Sequence, residues 1–173
     1  MRNIRLYLLL FIILGFTKVS SAQSSATEYA LATTIIKPIS IENSRDLSFG
    51  NILSSSSAGT VVITPAGARS RSGGATFIPS LPGIFSSAEF TVYGQANAAF
   101  TITVPANNTV VLTKSGGIDM KVRAFKHSLT STSSRKIGSG GSKVFTVGAT
   151  LNVNAKQNPG MYTGTFNVTV AYN

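Results

Sequence analysis

Side chains that could perform acid–base or nucleophilic chemistry are scarce in this sequence. The 173 residues include one histidine, His127, and five acidic residues. A Ser–His–Asp hydrolase needs a histidine that is oriented by a carboxylate, and none of the five acids lies in a recognisable motif with His127. A glycosidase needs two facing carboxylates, and the spacing of the acids does not indicate such a pair. The sequence therefore predicts a protein that is not an enzyme, with His127 as a solvated loop residue.

Ligands for metals and cofactors are equally sparse. The chain has no cysteine and one histidine, so a zinc site would lack its usual ligands. The acids are too scattered to supply the clustered carboxylates that calcium prefers. The glycine-rich stretch at residues 138–141 lacks the Lys-Ser/Thr pair that completes a phosphate-binding loop. The sequence predicts no cofactor, no metal and, without cysteine, no disulfide.

Basic side chains form the most prominent charged feature. The net charge is +10, and seven lysines and arginines lie within residues 114–143, where Asp119 is the one acid. Five of them are candidates for contact with an anionic polymer such as polysaccharide: Lys121, Arg123, Lys126, Arg135 and Lys136. Phe125 is the one aromatic residue among them, so specific binding of nucleic acid, which stacks bases on aromatic rings, is not predicted. The alternative is a solvated face with no partner.

Short strands, in which apolar and polar residues alternate, must position these residues. The clearest such strand lies in the last fourteen residues, GMYTGTFNVTVAYN. From Thr165 onward, apolar and polar residues alternate without a break. Because successive side chains of a strand point to opposite faces, one face carries Phe166, Val168, Val170 and Tyr172. The pattern predicts a strand from residue 165 that follows a turn at Gly160. A core strand of any β-sandwich would alternate in the same way.

The N-terminus has the features of a secretory signal peptide. Arg2 and Arg5 precede an apolar run at residues 6–16, and Ser20, Ser21 and Ala22 supply small residues for cleavage before residue 23. An uncleaved anchor is the alternative, but an apolar run of about 11 residues is short for a membrane-spanning helix. We expect a signal peptide at residues 1–22, no transmembrane segment after cleavage, and export to the periplasm, the cell surface or the medium.

The exported chain has the composition and spacing of an all-β protein. Short alternating segments recur between Gly, Ser, Pro and Asn. We expect a loose extension at residues 23–31 and one domain of about 8–9 strands at residues 32–173. In detail, residues 31–41 are predicted as an edge strand or as a strand that switches sheets at Pro38, residues 67–74 as a flexible connector, and residues 89–104 as a hairpin.

Four segments of the chain carry a wider resemblance. They are LSFGNI (47–52), SSAGTVVITPAGARSRSGG (56–74), SSAEFTVYGQANAAFTITVP (86–105) and FTVGATLNVNAKQNPGMYTGTFNVTVAY (145–172). Together they resemble the bacterial domain-of-unknown-function family numbered 4402. The resemblance implies a secreted, immunoglobulin-like β-sandwich from a Gram-negative bacterium, loosely related to pilin-like domains. It implies no activity and no catalytic residues.

The last strand also resembles that of pilus subunits built by the chaperone–usher route. In that family a glycine stands fourteenth from the C-terminus and a tyrosine is penultimate, as Gly160 and Tyr172 are here. The resemblance implies an apolar groove that a chaperone strand fills first and a neighbouring subunit fills later. The interaction residues would be Gly160, Phe166, Val168, Val170 and Tyr172. The donor strand departs from the pattern, because residues 23–31 offer only Tyr29 and Leu31 as alternating apolar residues.

Two functions follow from these observations. The first is a non-enzymatic structural or adhesive subunit, a fimbrial surface protein whose partners are copies of itself, related subunits and a periplasmic chaperone. The second is a self-contained, monomeric binding module in the periplasm or on the surface, which contacts an anionic polysaccharide. The first needs an edge that lacks a strand, and the second needs a complete sandwich.

Overall fold

The computed structural model describes residues 28–173, and this part of the chain is all β, with eleven strands and no helix. The strands are β1 (Ser40–Arg45), β2 (Ser48–Phe49), β3 (Gly59–Ile63), β4 (Arg69–Gly73), β5 (Phe85–Ser86), β6 (Ala88–Tyr93), β7 (Phe100–Thr103), β8 (Val110–Leu112), β9 (Met120–His127), β10 (Ser142–Val153) and β11 (Thr169–Tyr172). The all-β prediction is confirmed, and the described strands outnumber the eight or nine expected.

The N-terminal part of the chain is described only from residue 28. The predicted signal peptide at residues 1–22 therefore lies outside the described residues, as do residues 23–27 of the predicted extension. The chain divides into two units between residues 34 and 35, and the second, residues 35–173, is compact. The described residues of the first unit, 28–34, contain no strand. Among residues 28–173, no helix is long and apolar enough to cross a membrane.

The long strand β10 organises the largest sheet. Its first half pairs with β6 and its second half with β3, while β9 lies along its other edge. The strand order is β1-β6-β10-β3-β4, with β9 paired to the other edge of β10 and β8 paired to β9, and all pairs are antiparallel. Phe145, Val147, Ala149, Leu151 and Val153 alternate along β10 and are buried, as its period-2 pattern predicts.

Two small sheets complete the fold, and they correct the predicted hairpin at residues 89–104. β7 pairs with β11 and β2 pairs with β5, whereas β6 pairs with β1 and β10. The connection between β6 and β7 bonds elsewhere: Gly94 N–H donates to the Gly141 carbonyl at 3.0 Å and Asn97 N–H to the Ile137 carbonyl at 3.0 Å. The chain thus leaves one sheet after β6 and enters another.

The Gly- and Ser-rich stretch at residues 67–74 is ordered, which corrects the predicted flexible connector. β4 pairs with β3 along five residues. The guanidinium of Arg69 lies 3.5 Å from the centre of the Phe77 ring and donates to the carbonyl oxygens of Phe49 (3.2 Å) and Pro82 (3.0 Å). Arg69 stacks on an aromatic ring and donates two hydrogen bonds, and these contacts order a segment whose small residues alone favour a loop.

The sheets share one apolar core. Its most deeply buried large side chains come from β3, β6, β7, β9, β10 and the loop before β10: Ile63, Val61, Val92, Phe100, Val122, Ile137, Phe145, Val147 and Leu151. Burying such side chains contributes about 1.5–3 kcal/mol each. The first strand starts at Ser40 and not at residue 31 as predicted. Leu31 and Ile35 therefore lie outside the core, whereas Ile39 and Ile41 pack against the core.

Candidate functional site

The C-terminal segment, residues 160–172, starts at a turn that only glycine adopts easily. Gly160 has φ = 136°, in a region closed to residues with a Cβ atom. The buried side chain of Gln157 holds the turn: its amide nitrogen donates to the Tyr162 hydroxyl at 2.8 Å and to the Ile118 carbonyl. The Tyr162 hydroxyl in turn donates to the Asn158 carbonyl at 2.9 Å. Sequence reasoning identified Gly160 but missed Gln157, which carries no local pattern.

The segment is anchored at both ends and unpaired between them. Thr163 exchanges two backbone hydrogen bonds with Thr113, just beyond β8, at 2.8 and 3.1 Å, and β11 pairs with β7. Within the described part of the chain, residues 164–168 make no backbone hydrogen bond to any strand. We call residues 164–168 the free edge.

The predicted strand from residue 165 is therefore too long. In the β7–β11 register, Thr169 stands opposite Thr103, so Asn167 would stand opposite Pro105. Proline has no N–H to donate to a ladder, and pairing with β7 ends before it. The predicted faces are nevertheless confirmed: Phe166, Val168, Val170 and Tyr172 are partly buried against the core, whereas the alternate residues from 165 to 171 are exposed.

Phe166 is the main apolar contact of the free edge. Its ring lies edge-on to Phe90, with centroids 6.3 Å apart, and tilted against Phe125 at 5.2 Å. Phe90 stacks on Phe145 at 5.5 Å. One side chain from an unpaired segment thus contacts aromatic rings of both β6 and β9, which fixes the free edge by side-chain packing alone.

The Tyr172 hydroxyl ties the end of β11 to the chain before β1. It accepts from Gln95 N–H at 2.6 Å and donates to the Lys37 carbonyl at 2.6 Å. Gly94 leaves room for the ring, because a Cβ atom there would overlap the tyrosine hydroxyl. Residues 37 and 95 are 58 positions apart, and both are distant from residue 172 in the sequence. The Tyr172 hydroxyl therefore joins three separate parts of the chain.

Replacing Tyr172 with phenylalanine should lower the free energy of unfolding by about 1–2 kcal/mol, because two backbone groups lose their partner while the ring remains. Urea denaturation followed by fluorescence measures the change. Tyr93→Phe is the matched control, since Tyr93 is 37% exposed and should change stability by less than about 0.5 kcal/mol. Equal effects of the two substitutions would show that the Tyr172 hydroxyl does not stabilise the fold.

Residues 28–39 form no strand and expose apolar side chains. Tyr29, Leu31 and Ile35 are 85%, 98% and 93% exposed, and they occupy alternate positions of one register. The sequence interpretation counted only Tyr29 and Leu31, because it placed the first strand at residue 31. Since β1 starts at Ser40, the unpaired stretch is longer and includes Ile35. Pro38, which cannot donate to a ladder, was the available signal for this boundary.

The predicted basic candidates separate into two groups. Lys121, Arg123 and Lys126 are all exposed on β9, and Arg123 Nε donates to the Asn152 side-chain oxygen at 2.9 Å. Arg135 and Lys136 lie in the loop before β10, where Lys136 bridges to Ala99 beside β7. The structure thus brings three of the five together on one strand.

His127 is not the solvated loop residue that the sequence predicted. It is the last residue of β9, half-buried, with its ring edge-on to Phe145 at 6.4 Å. Burial lowers the pKa of His127, and the positive charge of Arg135 lowers it further. Its Nδ1 and Arg135 Nε are buried without a hydrogen-bond partner in the described region. Burial and the neighbouring Arg135 both favour the neutral form of the imidazole.

A metal site would need several histidine, aspartate or glutamate side chains close together within residues 28–173. No group of three or more histidine, aspartate or glutamate side chains comes together there. In the same residues, the one ion pair joins Arg45 to Glu89 at 3.2 Å on the outer surface of β1 and β6.

Comparison with known proteins gives one match. No curated protein and no solved structure matches the chain. A family match covers residues 39–172, from the residue before β1 to the last residue of β11, and so includes the free edge and both of its anchors. The chain belongs to the family described as Domain of unknown function (DUF4402).

Proposed function

We propose that the protein is a non-enzymatic structural or adhesive subunit of a bacterial surface fibre. In this proposal it is secreted by a Gram-negative cell and has a pilin-like, immunoglobulin-like β-sandwich. Each copy completes the sandwich of its neighbour by adding a strand. The sheet that contains β10 and the β7–β11 sheet share a core, which supports a sandwich, and the second sheet has only two strands.

The observation that carries the proposal is the free edge. Residues 164–168 present backbone groups that find no backbone partner among residues 28–173, beside half-buried apolar side chains. Unpaired backbone N–H and C=O groups near a core cost free energy, and such an edge is a template for another strand. Strand addition would satisfy the backbone groups and cover Phe166 and Val168 in one step.

A segment that could add as the complementary strand precedes β1 in the same chain. Tyr29, Leu31 and Ile35 are exposed and share one register of an extended segment, with Thr33 at the position between Leu31 and Ile35, and strand addition uses such alternate side chains. The free edge has five residues, a length of about 17 Å at about 3.3 Å per residue, and residues 29–35 are long enough to run along it. We therefore name residues 28–36 the donor segment and the free edge of a second copy its acceptor.

A chaperone would act on the same edge before assembly. An exposed strand edge with adjacent apolar side chains is prone to aggregation. A periplasmic chaperone strand placed along residues 164–168 would protect it until a donor segment of another copy, or of a related subunit, replaces that strand.

The test is whether a donor peptide binds the free edge. A synthetic peptide of residues 28–37 is added to the full chain, and amide hydrogen exchange is followed at residues 164–168. We expect at least tenfold slower exchange there, since new interstrand hydrogen bonds protect the amides. The control peptide carries Asp in place of Leu31 and Ile35. Unchanged exchange at saturating peptide, or equal protection by both peptides, would refute strand addition.

The alternative is a self-contained monomer. It would apply if the free edge is already paired within the same chain. The hydrogen-exchange experiment also distinguishes this case, because residues 164–168 would then exchange slowly before any peptide is added. The chain would also sediment as a monomer at all concentrations.

A further inference from the structure

A β-bulge in β9 changes which side chains face outward. Lys126 pairs with Gly148 and Arg123 with Thr150, so two residues of β9, Ala124 and Phe125, stand opposite the single residue between them. Ala124 has φ = 51°, a left-handed conformation typical of such bulges. After a bulge the alternation of faces is shifted by one residue.

The shift moves a cation to the outside. Strict alternation would place Lys126 on the inner face with Val122, and Phe125 on the outer face with Arg123. In the structure Phe125 is 8% exposed and Lys126 is exposed. Lys121, Arg123 and Lys126 therefore lie on one face of β9, and we call these three residues the basic row.

The neighbouring strands leave the basic row without a counter-charge. The residues opposite it are Val111, Thr150 and Gly148, and none is acidic. None of the three cations takes part in an ion pair within residues 28–173. Asn152 accepts from Arg123 Nε and fixes the direction of the guanidinium. The two ammonium groups and the guanidinium of the basic row therefore face outward.

The bulge is held by a specific contact. Asn107 Oδ1, in the loop before β8, accepts from Ala124 N–H at 2.7 Å. A left-handed alanine costs about 1–2 kcal/mol, and burial of Phe125 against Phe166 offsets that cost. Core packing thus fixes the bulge, and the alignment of the basic row is built into the fold.

The spacing of the basic row fits a linear polyanion. Lys121 and Arg123 are two strand positions apart, about 7 Å at about 3.3 Å per residue, and the row as a whole extends over roughly 15 Å. A single-stranded nucleic acid would also need exposed aromatic rings for base stacking, and Phe125, the aromatic residue of β9, is buried. The features of this face therefore favour a sugar polymer.

We propose that the basic row binds a linear acidic polysaccharide along the outer face of β9. The polymer's carboxylates pair with the three cations, and its sugar hydroxyls lie against uncharged neighbours such as Thr150. The free edge takes no part in this contact, so the proposal is independent of whether copies join by strand addition.

The experiment measures binding of the full chain to polygalacturonate, with neutral dextran and oligothymidylate as comparison polymers. The test variant is Lys121→Gln/Arg123→Gln/Lys126→Gln. The control variant, Lys37→Gln/Lys143→Gln/Lys156→Gln, loses the same charge elsewhere. We expect the first to weaken polygalacturonate binding at least tenfold and the second less than threefold. Thermal unfolding of each variant verifies that it is folded.

Salt dependence gives a second readout. Affinity of the wild-type chain should fall steeply between about 50 and about 200 mM NaCl, and the test variant should lose most of this dependence. Equal losses in both variants would mean that net charge alone attracts the polymer and would overturn the proposal. Tighter binding of oligothymidylate than of polygalacturonate, or no binding of polygalacturonate at low salt, would also overturn it.

Discussion

Replacing Phe166 with alanine should lower the free energy of unfolding by about 3 kcal/mol, a large part of the stability of a typical domain. Phe166 contacts Phe90 and Phe125, which lie on two strands of the largest sheet. Truncation would leave a cavity between these rings and remove the aromatic contact across the core. No backbone hydrogen bond within the described residues holds the free edge in place. Backbone pairing therefore cannot compensate for the packing that the substitution removes.

Urea denaturation of the variant, followed by circular dichroism, measures this loss. Thr165→Ala is the matched control, because Thr165 is the adjacent exposed residue of the same unpaired segment and should change stability by less than about 0.5 kcal/mol. If both substitutions cost the same, Phe166 does not pack as described.

The faces of the C-terminal segment could be predicted from sequence, but the length of its strand could not. Alternation from residue 165 correctly separated buried from exposed side chains, because that pattern is local. The end of the strand depends on Pro105, which lies 62 positions from Asn167 in the chain. Without the register of β7 and β11, nothing in the sequence indicates that these two residues would stand opposite each other.

The outward direction of Lys126 illustrates the same limit. Strict alternation along β9 places Met120 and Val122 inside and Lys121 and Arg123 outside, and the structure agrees for these four residues. Beyond Ala124 the bulge shifts the alternation of inner and outer side chains by one residue. The bulge itself depends on Asn107 and on the packing of Phe125. Both are tertiary contacts, so a period-2 pattern cannot locate the shift.

The sequence composition did not predict that β4 is an ordered strand, and the reason is chemical. Glycine and serine dominate residues 67–74 and favour loops, but Arg69 stacks on the Phe77 ring and the Arg71 guanidinium lies 5.7 Å from the centre of the same ring. An arginine can satisfy several carbonyl groups and cover an aromatic face at once. Composition counts such residues only as charge, whereas in this fold they join β4 to the loop that follows it.

The donor segment offers the sharpest test of assembly. Leu31→Asp together with Ile35→Asp should abolish fibre formation or self-association of the full chain, a loss of at least a hundredfold in apparent affinity. In strand addition these side chains would enter the apolar surface beside Phe166 and Val168, and burying an unpaired carboxylate costs several kcal/mol. Both residues are almost fully exposed, so thermal unfolding of the isolated chain should hardly change.

The matched control places the same charges on the opposite face of the same segment. Ala32→Asp together with Thr34→Asp adds two carboxylates at alternate positions of the other register, which would face solvent in an added strand. Sedimentation velocity over a range of concentrations should show assemblies for the wild type and this control, and monomers for the Leu31/Ile35 variant. Assembly that both variants abolish would mean that added negative charge, and not the apolar register, is responsible. Assembly that neither variant affects would exclude residues 28–36 as the donor strand, and the free edge would then need a strand from another protein.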